Sequence, residues 1–111
     1  MADAGRPTIS THVLDTERGL PAQGIRVTLS RLDVGVAPIR MTQALTDSDG
    51  RVRDLLERPL VAGDYRLEFD VAREDGFFTR VAVDVRVADP ARSYHVPLLL
   101  APFSMTTYRG S

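Results

Sequence analysis

The 111-residue chain has no cysteine and no lysine, and none of its apolar runs approaches the roughly 18 residues of a membrane span. Without cysteine, neither disulfides nor thiolate metal sites can hold the fold, which must rest on its core or on association of subunits. The missing lysines leave 14 arginines as the whole basic complement against 15 acids, a formal net charge of -1. No basic face or run of the kind nucleic acid needs stands out, so no nucleic-acid partner is expected. Met1-Ala2-Asp3-Ala4-Gly5-Arg6-Pro7 lacks the apolar core of a signal peptide, and a soluble, cytoplasmic protein without a membrane partner is the expectation. Glycine-rich phosphate cradles, nucleophile elbows and histidine-plus-carboxylate zinc motifs are also missing, so nothing demands a cofactor or a metal. Asp47, Asp49 and Asp54 supply only part of a calcium-loop pattern, and a turn is the expectation there.

An apolar fraction of 43% suffices for one real core, and the length suits one domain. We expect a flexible N-terminus over residues 1–8 and a single folded domain over 9–111. Alternation with period two dominates, the mark of strands with one buried face, and little or no helix is expected. Ile9, Thr11 and Val13 share the face assigned to the core; Ser10, His12 and Leu14 share the other. Further strands are predicted over 25–30, 39–46, 51–53, 63–71, 80–87, 94–100 and 104–108. Gly19-Leu20-Pro21 and Asp47-Ser48-Asp49-Gly50 read as turns. The link 55–60 is less patterned, and 72–76 is a tight connection or one helical turn at most. About eight short strands separated by turn signals predict an all-β sandwich with antiparallel sheets. Val96-Pro97-Leu98-Leu99-Leu100 departs from alternation, being apolar on both faces. A covering subunit explains it best, and Pro97 suits an edge or a bulge better than a central strand.

Few side chains can carry chemistry. The only histidines are His12 and His95, both on predicted strands, and an imidazole is the group best suited to move a proton near neutral pH. Each could equally make a structural hydrogen bond. Arg51, just past Asp49-Gly50, can stabilise an oxyanion or grip a carbonyl; solvated, it does neither. The chain closes on Tyr108-Arg109-Gly110-Ser111, where a strand leads into an aromatic, a guanidinium, a glycine and a hydroxyl. Locked into a sheet, this segment can bind a small polar anionic ligand; unlocked, it is an ordinary polar terminus.

Five stretches in order, Ser10-Thr11-His12-Val13-Leu14-Asp15, Gly19-Leu20-Pro21-Ala22, Thr46-Asp47-Ser48-Asp49-Gly50-Arg51, Tyr94-His95-Val96-Pro97-Leu98-Leu99-Leu100 and Tyr108-Arg109-Gly110-Ser111, resemble the 5-hydroxyisourate hydrolase, transthyretin-related family. The terminal tetrapeptide is the feature that separates the hydrolases from transthyretin itself. The resemblance, running over about 9–111, implies a transthyretin-like β-sandwich of two four-stranded sheets, assembled as a homotetramer (a dimer of dimers) with active sites in the channel between dimers. It implies His12, Arg51, His95 and Ser111 as catalytic residues, with Arg51, Tyr108, Arg109 and Gly110 binding substrate. The implied reaction is hydrolysis of 5-hydroxyisourate to 2-oxo-4-hydroxy-4-carboxy-5-ureidoimidazoline in urate catabolism, without cofactor or metal. Departures from the family pattern are the brief 72–76 connection, Thr79 where proline is common after Phe77-Phe78, and Ala101 in place of a frequent serine. The other readings are a non-enzymatic carrier of a small ligand in the same channel and a purely structural sandwich.

Overall fold

β-Branched and aromatic residues at every second position build nine strands in the computed structural model, which describes residues 6–111; residues 1–5 of the expected flexible stretch lie outside the described residues. They are β1 (Ile9–Asp15), β2 (Leu20–Pro21), β3 (Arg26–Leu32), β4 (Ile39–Leu45), β5 (Arg51–Val52), β6 (Gly63–Asp70), β7 (Arg80–Val87), β8 (Tyr94–Ala101) and β9 (Ser104–Thr107). One sheet runs β2-β1-β8-β9, with β5 also on β1; the other runs β4-β3-β6-β7. Among the described residues there is no helix, hence none long and apolar enough to cross a membrane.

The expected core faces of β1, β3, β6 and β8 are the observed ones. Ile9, Thr11 and Val13 of β1 are buried against Val27 and Leu29 of β3, Tyr65, Leu67 and Phe69 of β6, and Val96 and Leu98 of β8. Each large apolar side chain so removed from water contributes about 1.5–3 kcal/mol. The unpatterned link 55–60 is less exposed than its lack of rhythm suggests: Leu55, Leu56 and Leu60 plug the core. Leu55 N–H donates to Ile9 O at 2.9 Å, and the Thr42 hydroxyl donates to Leu55 O.

Four expectations are corrected. Leu20–Pro21, read as turn, is a ninth, two-residue strand paired with Leu14 and Asp15, so one sheet has five strands rather than four. The sheets are not wholly antiparallel: β1 and β8 run parallel from Ile9↔Tyr94 to Asp15↔Leu100. A period of two is the same in both directions and says nothing of orientation. β4 does not alternate cleanly, because a register shift opposite Leu29/Ser30 leaves Ala44 and Met41 toward the core and Ile39 and Leu45 exposed. Pro97 lies in an inner strand.

That last placement has a local cause. β8 odd residues turn their backbone groups to β9, as Gly110 N–H donating to His95 O shows. The β9 ladder pairs Leu98↔Thr107 through Ala101↔Ser104 and resumes at His95↔Gly110, skipping the residues opposite Val96 and Pro97. The missing N–H of proline therefore faces the gap it creates. The Pro97 carbonyl accepts the Thr107 hydroxyl at 2.7 Å instead.

The outer face of the second sheet shows what the arginines do. Arg66 clasps Asp84 with two bonds, 2.7 and 3.0 Å, and Arg86 reaches Asp64 at 3.0 Å across β6 and β7. A planar fork suits such pairs better than an ammonium does. Being exposed, each adds little to stability. The brief 72–76 connection is a turn held by Arg73, which meets Asp15 at 3.1 Å and Asp75 at 3.0 Å.

Candidate active site

The candidate catalytic side chains gather on the outer face of the five-stranded sheet. Residues two apart on a strand point the same way, so Ser10 and His12 on β1 stand together, as do His95 and Pro97 on β8. Parallel pairing sets Ser10 beside His95. Antiparallel pairing sets Arg51 beside His12. Three separate strands thus bring both histidines and Arg51 onto one surface; Arg51 and His95, though not His12, line an open cleft of about 350 Å³ there with Ser10, Thr11, Arg53, Ser93 and Ser111.

Arg51 is delivered by the Asp47–Gly50 turn. Asp47 Oδ1 accepts the backbone N–H of Asp49 at 2.8 Å and of Arg51 at 3.0 Å. The Arg51 amide is the main cause that holds the Asp47 carboxyl below its usual pKa. The carboxylate is thereby committed to the turn, and among the described residues no group of three histidines and acids is placed to hold a metal ion. Gly50 has φ +76 and lies so close to β1 that a Cβ would fall 2.4 Å from Val13 O. Its own carbonyl accepts Val13 N–H at 2.7 Å, which locks the turn against β1 and seats Arg51 opposite His12.

His95 is half-buried, and its Nδ1 lies 2.9 Å from Ser10 Oγ. Burial, then the positive charge of Arg51, then His12, push its pKa below the ordinary 6.5, against a weaker upward pull from the Ser10 backbone. The ring stays neutral, and so able to accept a proton, to lower pH than a free histidine.

The terminal segment divides between two places. Gly110 is bridged to His95, and a Cβ there would stand 2.6 Å from His95 Cδ2. Ser111 continues into the polar cleft. Tyr108 and Arg109, opposite the Pro97 gap, line instead an adjoining cavity of about 300 Å³ with Val83, Val85, Tyr94, Val96 and His95, which borders both spaces. The Arg109 guanidinium lies 5.0 Å from the centre of the Tyr94 ring, a cation–π contact rather than a free grip on an anion. Sequence reasoning had placed Ser10 on the His12 face without assigning it a part; Arg53 and Ser93 it passed over. A serine on a strand has no signature of its own, and only its face-sharing with His12 pointed to it.

Two imidazoles, a guanidinium and several hydroxyls thus share an open, polar sheet face of a sandwich protein, an arrangement chemically able to move a proton and to polarise a carbonyl. Residues 9–110 match the family described as HIUase/Transthyretin, and the chain belongs to that family. It is 43% identical over 119 residues to the 5-hydroxyisourate hydrolase of Deinococcus radiodurans, covering 97% of this chain and 99% of that protein. It is 40% identical to the 5-hydroxyisourate hydrolase of Mus musculus, covering 100% of both. In three dimensions it is similar to Klebsiella pneumoniae 5-hydroxyisourate hydrolase, with a TM-score of 0.82 and 36% identity over 95% of this chain and 99% of that one. The architecture is accordingly a transthyretin-like sandwich.

Proposed function

We propose that the protein is a 5-hydroxyisourate hydrolase of urate catabolism, opening its substrate to 2-oxo-4-hydroxy-4-carboxy-5-ureidoimidazoline. The observation that carries this reading is the meeting of His12, Arg51 and His95 on one sheet face beside Ser111, in a chain alike over its whole length to hydrolases of that name. His95 takes a proton from water as the oxygen bonds to a ring carbonyl carbon. Arg51 holds the oxyanion that forms. His12 and the Ser111 hydroxyl orient the water. The carbon–nitrogen bond then breaks, the ring nitrogen takes the proton back from His95, and the carbonyl becomes a carboxylic acid that releases its remaining water proton to solvent as the product carboxylate. Gly110 backs the His95 ring, while Tyr108 and Arg109, in the adjoining cavity, brace the segment that brings Ser111 to the cleft.

The working unit is the domain 9–111 in a cytoplasmic homotetramer, a dimer of dimers. What supports this is the outer face of β8, where Leu99 and, beside it on β1, Leu14 stay partly exposed at the site. A small-ligand carrier on the same fold is the weaker reading, since a carrier has no use for a proton-moving pair.

The test is the decay of freshly generated 5-hydroxyisourate, followed by ultraviolet absorbance. Wild type should accelerate it, and His95→Asn should lose about 10²–10⁴-fold in kcat, the worth of general acid–base catalysis. Arg51→Ala should lose about 10²–10³-fold, the worth of one oxyanion donor. A folded wild type that leaves the decay unchanged would overturn the assignment.

A further inference from the structure

The His95 imidazole is clasped along both edges. On one side its Nδ1 meets Ser10 Oγ at 2.9 Å, the parallel pairing of β1 and β8 having set the two residues side by side. On the other, its Cδ2 edge packs on Gly110, whose missing Cβ leaves the only room for the ring. Rotating the ring by half a turn would put carbon against the Ser10 hydroxyl and nitrogen against the glycine, losing the hydrogen bond. The ring therefore has one favoured orientation, with Nε2 at its free tip.

The hydroxyl of Ser10 can donate or accept. What decides between the two is the cleft on which His95 opens. Arg51 and Arg53 both line it, and a guanidinium is a donor with no acceptor capacity. A bare Nε2 can accept from either guanidinium, whereas an N–H there would find acceptors only in the serine hydroxyls of the same cleft. The proton then belongs on Nδ1.

We propose that Ser10 is a positioning residue: its hydroxyl accepts the Nδ1–H of His95 and, with Gly110 against the opposite edge, selects the tautomer that presents the Nε2 lone pair to the cleft. Ser10 touches neither water nor substrate in this role; it acts through His95. The inference rests on the reading of His95 as the base, and it answers which nitrogen does the work. The second atom of a histidine is commonly fixed by such a partner, because orientation and tautomer are set by the bond the other nitrogen makes.

Long-range nitrogen–proton NMR on protein labelled at its histidines reads the tautomer directly, with His95→Asn to assign the signals. Wild type above neutral pH should show His95 protonated on Nδ1 and bare on Nε2. Ser10→Ala should shift the population toward the Nε2–H form and lower kcat about 10–100-fold with KM little changed. Ser10→Thr, which keeps the hydroxyl, should restore both. A wild-type ring protonated on Nε2 overturns the proposal, as does a Ser10→Ala protein with unaltered tautomer or unaltered kcat relative to an active wild type. The wild-type spectrum needs no variant to fold. An Nδ1–H tautomer lost in Ser10→Ala, in a wild type that does not hydrolyse 5-hydroxyisourate, supports the clasp and overturns only the functional assignment.

Discussion

His95 carries its own pH signature. Its pKa is lowered from 6.5 by burial first, then by Arg51 and His12, so the acid limb of kcat/KM should fall below pH 6.5. Arg51→Ala removes one of the positive neighbours and should move that limb upward, toward 6.5, besides lowering the rate. The same shift links to stability. Below 6.5 the unfolded chain takes up a proton that folded His95 refuses, so this group's contribution is complete above 6.5 and declines as pH falls toward its folded pKa. Gly110→Ala is the steric counterpart: a Cβ 2.6 Å from Cδ2 must displace the ring. We expect kcat to drop at least tenfold, roughly the worth of orienting such a group, while the thermal midpoint stays near that of wild type. His12, Arg51 and His95 were legible as candidates because imidazoles on strands and an arginine after a turn are few. Ser10's part was not, since it exists only through a neighbour 85 residues away.

At the scale of elements, turn and strand constrain each other. The Asp47–Gly50 turn was legible from its residues alone, because aspartate and glycine suit it locally. Its consequence was not: Gly50 both needs positive φ and packs on the β1 backbone. Gly50→Ala should cost about 1–3 kcal/mol in urea unfolding, the scale of a residue forced into such a conformation, and should loosen Arg51 from His12. Pro97 shows a composition rule that is right about its cause and wrong about position. The rule asks that a missing N–H not be needed, and an inner strand satisfies it where its neighbour is interrupted. That interruption leaves Tyr108 and Arg109 outside the ladder and sends their side chains to the cavity beside Tyr94 rather than into the polar cleft.

The whole molecule is two sheets pressed around one core, with the proposed active site on an outer face. Leu98 and Leu99 are adjacent in sequence but opposite in role. Leu98 is 0% exposed, and Leu98→Ala should lower unfolding stability by about 2–5 kcal/mol, as cavity-forming substitutions do. Leu99 points the other way, on the face proposed to meet a second dimer. Sedimentation should give wild type four times the monomer mass, whereas Leu99→Arg should keep its strand spectrum and sediment as a smaller species. A wild type that sediments as a monomer would overturn the tetramer.

By itself the sequence determined every strand but β2, every apolar face but that of β4, the Asp47–Gly50 turn and which side chains can move protons. These are local matters, settled by a period of two and by the conformational needs of glycine, aspartate and proline. Only the tertiary structure decided that β1 and β8 run parallel, that Ser10 and Gly110 flank His95, and that Arg109 turns away from Ser111. Periodicity is blind to partner and direction. Pairing between strands so far apart along the chain is chosen by how the whole core closes, at an entropy cost that no local pattern records.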